Sequence, residues 1–182
     1  MLAARAGLSP ARDLVPYPPA CTVQPADGFN GVVIGPSSPA PIPASVEDIV
    51  IQGQGNVPIA DASVYVYFGN GIRLCPGAVY SGATDSQGHL RLALNGGGCI
   101  SGLDQACIIR ANGIVVRDYQ NVKSPDFDGV SGDGRMNLGD LVEFVRESNS
   151  HGVCHDYDNS GSYSLLEFTI FASAFTPAHH CP

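Results

Sequence analysis

Oxygen-bearing side chains recur at alternate positions in the stretch CHDYDNSGSYSLLEF, residues 154–168. Numbered as a twelve-residue loop, they occupy positions 1, 3, 5, 9 and 12: Asp156, Asp158, Ser160, Ser164 and Glu167. Ser162 at position 7 offers its backbone carbonyl, and Gly161 at position 6 permits a sharp turn. Calcium takes about six to eight oxygen ligands, and a loop of this kind supplies them at these positions. The spacing predicts one bound calcium ion, and the alternative is a polar turn that caps a helix.

An earlier acidic stretch repeats this pattern with an insertion. Aligning the apolar segments that follow the two loops sets Asp140 over Glu167 and Gly134 over Gly161. Position 1 then falls on Gly129, which has no side-chain oxygen, so we expect extra residues in this first loop. Acidic side chains in a short turn repel one another unless a cation lies between them. A second calcium ion is therefore predicted here, held by some of four acids: Asp126, Asp128, Asp133 and Asp140.

Each acidic loop precedes a segment with helical periodicity. NLGDLVEFVRES places Leu138, Leu141, Val142 and Val145 on one face. SLLEFTIFASAF does the same with Leu165, Phe168, Phe171 and Phe175. Residues 124–182 are therefore predicted to be a small module of two loop-helix calcium motifs.

Residues 46–123 are predicted to be all-β. Short apolar stretches with alternating patterns follow one another between glycine-rich turns: VEDIVIQ, ASVYVYF, AVYSGAT, GHLRLAL, ACIIRANG and IVVRDY. Short strands at such regular spacing along the chain are typical of a β-sandwich. Asp85 and Gly88 predict a tight hairpin between the third and fourth of these stretches.

Residues 1–45 hold nine of the fourteen prolines. We expect an extended, polyproline-like segment with no core of its own and one possible strand over residues 28–35. That strand could pair with an edge of the next copy, which would build a head-to-tail filament. The alternative is that the segment packs on its own domain.

Composition narrows the classes of protein to consider. The chain has 182 residues, a net charge of −8 and a single lysine, Lys123, which argues against a nucleic-acid surface. No apolar run is long enough to predict a membrane span. The motifs GxSxG and HExxH are both missing from the sequence, and we predict that the protein is not an enzyme.

The six cysteines contain no CxxC pair and indicate disulfides formed in an oxidising compartment. We expect Cys154–Cys181 around the second loop, and of the three pairings left we favour Cys75–Cys99 with Cys21–Cys107. The predicted location is extracellular. MLAARAGLSP is too short for a complete signal peptide, so the signal is expected to be absent from this chain or removed.

Two resemblances accompany these patterns. DGVSGDGRMNLGDL and DYDNSGSYSLLEF resemble a dockerin-like module, with tandem calcium loops each followed by one helix. Dockerins dock through loop positions 10 and 11, often hydroxylated, which here are Leu138, Gly139, Leu165 and Leu166. PIADASVYVYF and GATDSQGHLRLAL are similar to prealbumin-like or collagen-adhesin B-type sandwiches, a form of Ig-like β-sandwich. Such combinations resemble the tails of secreted bacterial proteins.

These observations predict a secreted calcium-binding structural protein, a subunit of an extracellular fibre or surface assembly. Its partners would be further copies of itself, joined head to tail, or another extracellular protein. The alternative is a calcium-dependent carbohydrate-binding or docking module from a larger secreted enzyme. Five tyrosines are candidates for a sugar-binding face: Tyr17, Tyr65, Tyr67, Tyr80 and Tyr119. Four histidines near Cys154 and Cys181 are weaker candidates for a zinc or copper site: His151, His155, His179 and His180.

Overall fold

The computed structural model describes residues 14–175 and 179–182 and shows a mainly β chain with three α-helices among them. This confirms that the chain is mainly β with a small α-helical part. The helices are α1 (Ala26–Phe29), α2 (Leu138–Ser150) and α3 (Leu165–Phe175). The strands are β1 (Thr22–Gln24), β2 (Val32–Val33), β3 (Val46–Val50), β4 (Ser63–Phe68), β5 (Ile72–Leu74), β6 (Ser81–Ala83), β7 (His89–Ala93), β8 (Gly96–Gly98), β9 (Cys107–Ala111), β10 (Ile114–Tyr119) and β11 (Val122–Lys123).

Two larger sheets share one buried cluster. The first has the order β10-β9-β4-β6 and the second has the order β1-β3-β7, and both are antiparallel. Strands alternate between buried and exposed side chains, so each sheet buries one face. Val64 and Ile109 from the first sheet join Val23 and Ile49 from the second in the same cluster.

The turn at Asp85–Gly88 connects these two sheets. Its chemistry is as predicted, because Asp85 Oδ1 accepts hydrogen bonds from the backbone of Gln87 and His89, at 2.8 and 2.9 Å. Gly88 has a φ of +77°, which glycine adopts without strain. The predicted hairpin is nevertheless wrong, since β6 pairs with β4 while β7 pairs with β3.

Residues 14–45 belong to the folded body. Of the two alternatives for this segment, packing on its own domain is the one seen for this range, and residues 1–13 lie outside the described chain. β1 pairs with β3, and the strand predicted over 28–35 is reduced to β2, which pairs in parallel with β11. Phe29 lies in α1 instead. Apolar side chains from this segment are fully buried, among them Cys21, Val23, Ile34 and Ile42.

The disulfides join distant parts of the chain. Cys75 is bonded to Cys181 and Cys99 to Cys154, with Cα–Cα distances of 5.1 and 5.6 Å. The predicted pairs Cys154–Cys181, Cys75–Cys99 and Cys21–Cys107 are therefore wrong. Cys154 and Cys181 were paired because they lie on either side of the second loop and its helix, whereas packing brings the C-terminal residues against the β region. Cys21 and Cys107 are buried free thiols.

The C-terminal helices bury only part of the apolar face that the sequence predicts: Phe171 is in the core, with Leu141 and Phe175 packed against it. In α2 the buried side chains are Asp140, Glu143, Phe144 and Glu147. In α3 they are Glu167, Ile170, Phe171 and Ala174. The apolar face of a helix ordinarily packs on the core, yet several of its members here are exposed: Leu138, Val142, Val145, Leu165 and Phe168. Burial of the first-turn acids Asp140 and Glu167 accounts for this orientation.

Within the described residues, every helix is too short or too polar to cross a lipid bilayer.

Replacing Ile34 by alanine tests whether the N-terminal segment is part of the fold. Ile34 is fully buried in the shared cluster, so Ile34→Ala should lower the free energy of unfolding by about 2–5 kcal/mol. Val79 is exposed, so Val79→Ala should change it by less than about 0.5 kcal/mol. Urea unfolding of dilute protein measures both values. Equal stabilities for the two variants would show that the segment is not packed on its own chain.

Candidate metal centre

The second acidic loop is wrapped around the carboxylate of Asp156. Its Oδ1 accepts a hydrogen bond from the backbone of Ser160 at 3.1 Å, and its Oδ2 accepts one from Gly161 at 2.9 Å. Gly161 has a φ of +76° and Asn159 a φ of +56°, and these left-handed residues turn the chain back over Asp156. The residue at position 1 thus organises the loop through hydrogen bonds to its backbone.

Three carboxylates of this loop converge. One oxygen each from Asp156, Asp158 and Glu167 lie within 4.8 Å of one another. In the described part of the chain, no other three His, Cys, Asp or Glu side chains come this close. Three hard oxygen ligands at this separation fit calcium, and they lack the nitrogen or sulfur that zinc and copper favour.

Glu167 has a buried oxygen that no group of the described chain satisfies. Its side chain is fully buried, and its Oε2 accepts hydrogen bonds from the backbone and hydroxyl of Ser164, at 2.6 and 2.7 Å. Its Oε1 has no hydrogen-bond partner. Leaving a buried carboxylate oxygen unsatisfied is costly, and a cation beside it would remove that cost.

The serines of the loop bond to groups of the loop and of the helix that follows it. The Ser160 hydroxyl donates to the backbone carbonyl of Ser162 at 3.1 Å. The Ser164 hydroxyl accepts from the backbone of Leu166 at 3.1 Å, which is the helix-cap arrangement. Both interpretations of the sequence are therefore compatible with this geometry, because capping uses Ser164 and leaves Glu167 Oε1 free.

In the first loop, the carboxylate of Asp126 accepts the same two backbone hydrogen bonds as Asp156 does in the second. The bonds span three more residues. Asp126 Oδ1 accepts from the backbone of Asp133 at 3.0 Å and its Oδ2 from Gly134 at 2.8 Å, seven and eight residues ahead. In the second loop the same bonds span four and five residues. Asp126 therefore occupies position 1, and the insertion lies between Asp128 and Asp133.

The end of the first loop also matches the second. Asp140 Oδ2 accepts from the backbone of Asn137 at 2.8 Å, as Glu167 does from Ser164. Asp128 and Asp133 are exposed and bond to nearby backbone amides. The four predicted acids thus occupy corresponding positions, but their oxygens converge less closely than in the second loop.

Burial and mutual repulsion shift the pKa values of these acids. Burial raises the pKa of Asp126 to about 6, against two backbone hydrogen bonds that lower it. Burial, with repulsion from Asp126, Asp133 and Asp128, raises the pKa of Asp140 to about 7. Burial also raises the pKa of Asp156, whereas hydrogen bonds from Ser160 outweigh burial and lower the pKa of Asp158. A cation between the acids would relieve this repulsion.

Glycine strand β8 and the two disulfides hold the loops against the β region. The backbone of Gly98 donates to the Asp126 carbonyl at 2.9 Å. A Cβ at Gly97 would lie 2.0 Å from Asp126 Oδ2, so only glycine fits there. Cys181 donates its backbone N–H to Gly134 at 2.7 Å, and Cys154 is bonded to Cys99 two residues before the second loop begins.

Sequence reasoning missed Lys123 as a neighbour of the second loop. Lys123 is 1% exposed, and its ammonium donates to the backbone carbonyl of Asp156. Burial lowers the pKa of Lys123, and the carboxylates of Asp156, Asp158, Glu147 and Glu167 oppose that shift. The only signal in the sequence was a single lysine placed directly before two acidic loops.

Glu147 and His155 form a second unpredicted pair beneath the loops. Glu147 Oε2 accepts from the His155 backbone at 2.9 Å and lies 3.0 Å from His155 Nδ1. Tyr163 donates to the same oxygen at 3.2 Å. The predicted zinc or copper ligands do not meet here, since Cys154 and Cys181 are in separate disulfides.

The candidate sugar-binding tyrosines are divided by the fold. Tyr65 and Tyr67 are exposed neighbours on β4 with ring centroids 6.4 Å apart. Tyr119 is buried and donates to Asp27, while Tyr80 donates to the Asn95 carbonyl. Tyr17 is also exposed, and a carbohydrate site stays a prediction that these three exposed tyrosines would carry. Comparisons with known protein families, with characterised proteins and with solved structures found no match to this chain.

Replacing Gly97 by alanine tests the contact between β8 and the first loop. The added methyl group would overlap Asp126 Oδ2, so Gly97→Ala should lower the free energy of unfolding by about 1–3 kcal/mol. In the control Gly28→Ala, the nearest atom to the new Cβ is 3.9 Å away, and stability should be unchanged or slightly raised. Thermal and urea unfolding measure the difference. A Gly97 variant as stable as the control would mean that Asp126 does not lie against this strand.

Proposed function

We propose that this chain is a secreted structural protein whose C-terminal module binds two calcium ions. One observation carries the proposal: the buried Oε1 of Glu167 is unsatisfied and belongs to three carboxylates that converge within 4.8 Å. The matching hydrogen bonds around Asp126 and Asp156 extend the proposal to the first loop. The predicted ligands are the acids and serines of the second loop and the four acids of the first loop.

The finer fold assignment is part of this proposal. The two larger sheets share a core, which supports an Ig-like or prealbumin-like β-sandwich. Two loops that each end in one helix support a dockerin-like module over residues 124–182. Two disulfides support secretion, because such bonds persist in oxidising compartments.

Calcium would act here as a structural ion. The acids that would hold it are attached to the β region through β8, β11 and both disulfides. An ion at each loop would therefore tie the helices to their loops and raise the stability of the whole chain.

The proposed assembly uses the helices. Residues 14–45 pack on their own chain and contribute buried side chains, so donation of their strand to another copy would disrupt the core. The exposed apolar side chains of α2 are spaced along one face at Leu138, Val142 and Val145. Exposed apolar patches commonly mark protein contacts. We therefore assign self-association, or attachment to an extracellular partner, to this face.

Replacing Glu167 by glutamine tests the calcium proposal. Extracellular calcium sites bind at about 10⁻⁴–10⁻³ M, so calcium at ten times that concentration should add roughly 1.4 kcal/mol per site. The intact chain should melt at a higher temperature with calcium than with chelator. Glu167→Gln should lose about half of that increase, because one of two sites is removed. Asp48→Asn, at an exposed position of β3, should keep all of it.

Differential scanning calorimetry with and without EDTA provides these values. A melting temperature of the intact chain that calcium does not change would refute the proposal.

Replacing Leu138 and Val142 by serine tests the assembly proposal. The intact chain should form oligomers in calcium at high concentration, and Leu138→Ser with Val142→Ser should reduce them. The control Val79→Ser removes a similarly exposed apolar side chain from the β region. Sedimentation velocity distinguishes the species. A monomeric intact chain, or a double variant that assembles as the control does, would contradict the use of this face.

A further inference from the structure

Lys123 is the only lysine of the chain, and it is buried beside the second loop. Its ammonium donates to the backbone carbonyl of Asp156, the residue at position 1. Among the described residues, no carboxylate oxygen lies within 4.0 Å of this ammonium, so Lys123 forms no direct ion pair that would occupy a ligand. The side chain thus adds a positive charge without taking the oxygens that would bind calcium.

The two loops differ in their number of acids, and Lys123 adds to the difference in charge. The first loop has four acids, Asp126, Asp128, Asp133 and Asp140. The second has three acids, and Lys123 cancels one of their charges. Calcium affinity in loops of this kind follows the number of charged ligands.

Positive charges near the first loop have a weaker effect. The charge of Arg73 opposes the rise in the pKa of Asp126, and Arg135 lies within the first loop, but both side chains are exposed. Water and salt screen exposed charges, whereas a buried charge retains its effect on a neighbouring ion.

We propose that Lys123 lowers the calcium affinity of the second loop while its hydrogen bond to Asp156 holds that loop in shape, so that the first loop fills first. This inference rests on the proposed calcium binding and concerns the order and strength of the two sites. It reverses the order that ligand spacing alone would favour, since the second loop has the more regular spacing. The second site would then respond to calcium only at higher concentrations.

A calcium titration followed by ¹H–¹⁵N NMR tests this order. The amides of Gly134 and Gly161 donate to the position-1 carboxylates of the first and second loops, so each reports one site. In the intact chain, the Gly134 signal should change at a lower calcium concentration than the Gly161 signal. Lys123→Met should move the Gly161 midpoint to about tenfold lower calcium, because one unit of buried positive charge is removed. The Gly134 midpoint should stay within about twofold.

Arg91→Met is the matched control, because it removes the same charge from an exposed position of β7. It should leave both midpoints within about twofold. A Gly161 midpoint that Lys123→Met leaves unchanged or raises would overturn the inference. If the Lys123 variant does not fold, the intact chain decides, since a Gly161 signal that changes first also overturns it. If neither amide responds to calcium, the proposed function itself fails.

Discussion

Asp140 and Glu167 are buried carboxylates in the first turns of α2 and α3, and the orientation of both helices depends on them. Each accepts a hydrogen bond from the backbone three residues earlier, which closes the loop onto the helix. Residues four and seven positions later lie on the same helical face, so Phe144 and Phe171 become core residues. Their rings stack with centroids 4.3 Å apart. The apolar side chains on the other face are consequently left exposed.

The β region holds the two acidic loops in place through close packing and two disulfides. Gly97 allows the carboxylate of Asp126 to lie against β8, and Gly132 lies so close to the backbone of Gly97 that it has no room for a side chain. One disulfide fixes the chain terminus beside Gly134, and the other fixes the chain before Asp156. Acids that repel one another are thereby held near positions where a cation would stabilise them.

Local patterns in the sequence predicted most of the elements. Alternating residues such as Val64 and Val66 identified the strands, and regular spacing identified the three carboxylates that converge in the second loop. The orientation of α2 was missed because an apolar pattern does not show that Asp140 will be buried. The disulfides and the place of Lys123 were missed for another reason. They depend on which strands become neighbours, and a single sequence does not encode that as a pattern.

The short ribbon of β2 and β11 lies between the two cores and belongs to both. Successive side chains of a strand point to opposite faces, and here Val32 and Val122 enter the core shared by the larger sheets. Val33, one residue along, enters the core of the helical module, while Lys123 reaches the second loop. Two parallel strands of two residues each are marginal by themselves. Their place between two cores stabilises them. Because Lys123 of this ribbon also contacts the second loop, a movement of that loop would be felt by the strands that complete the β core.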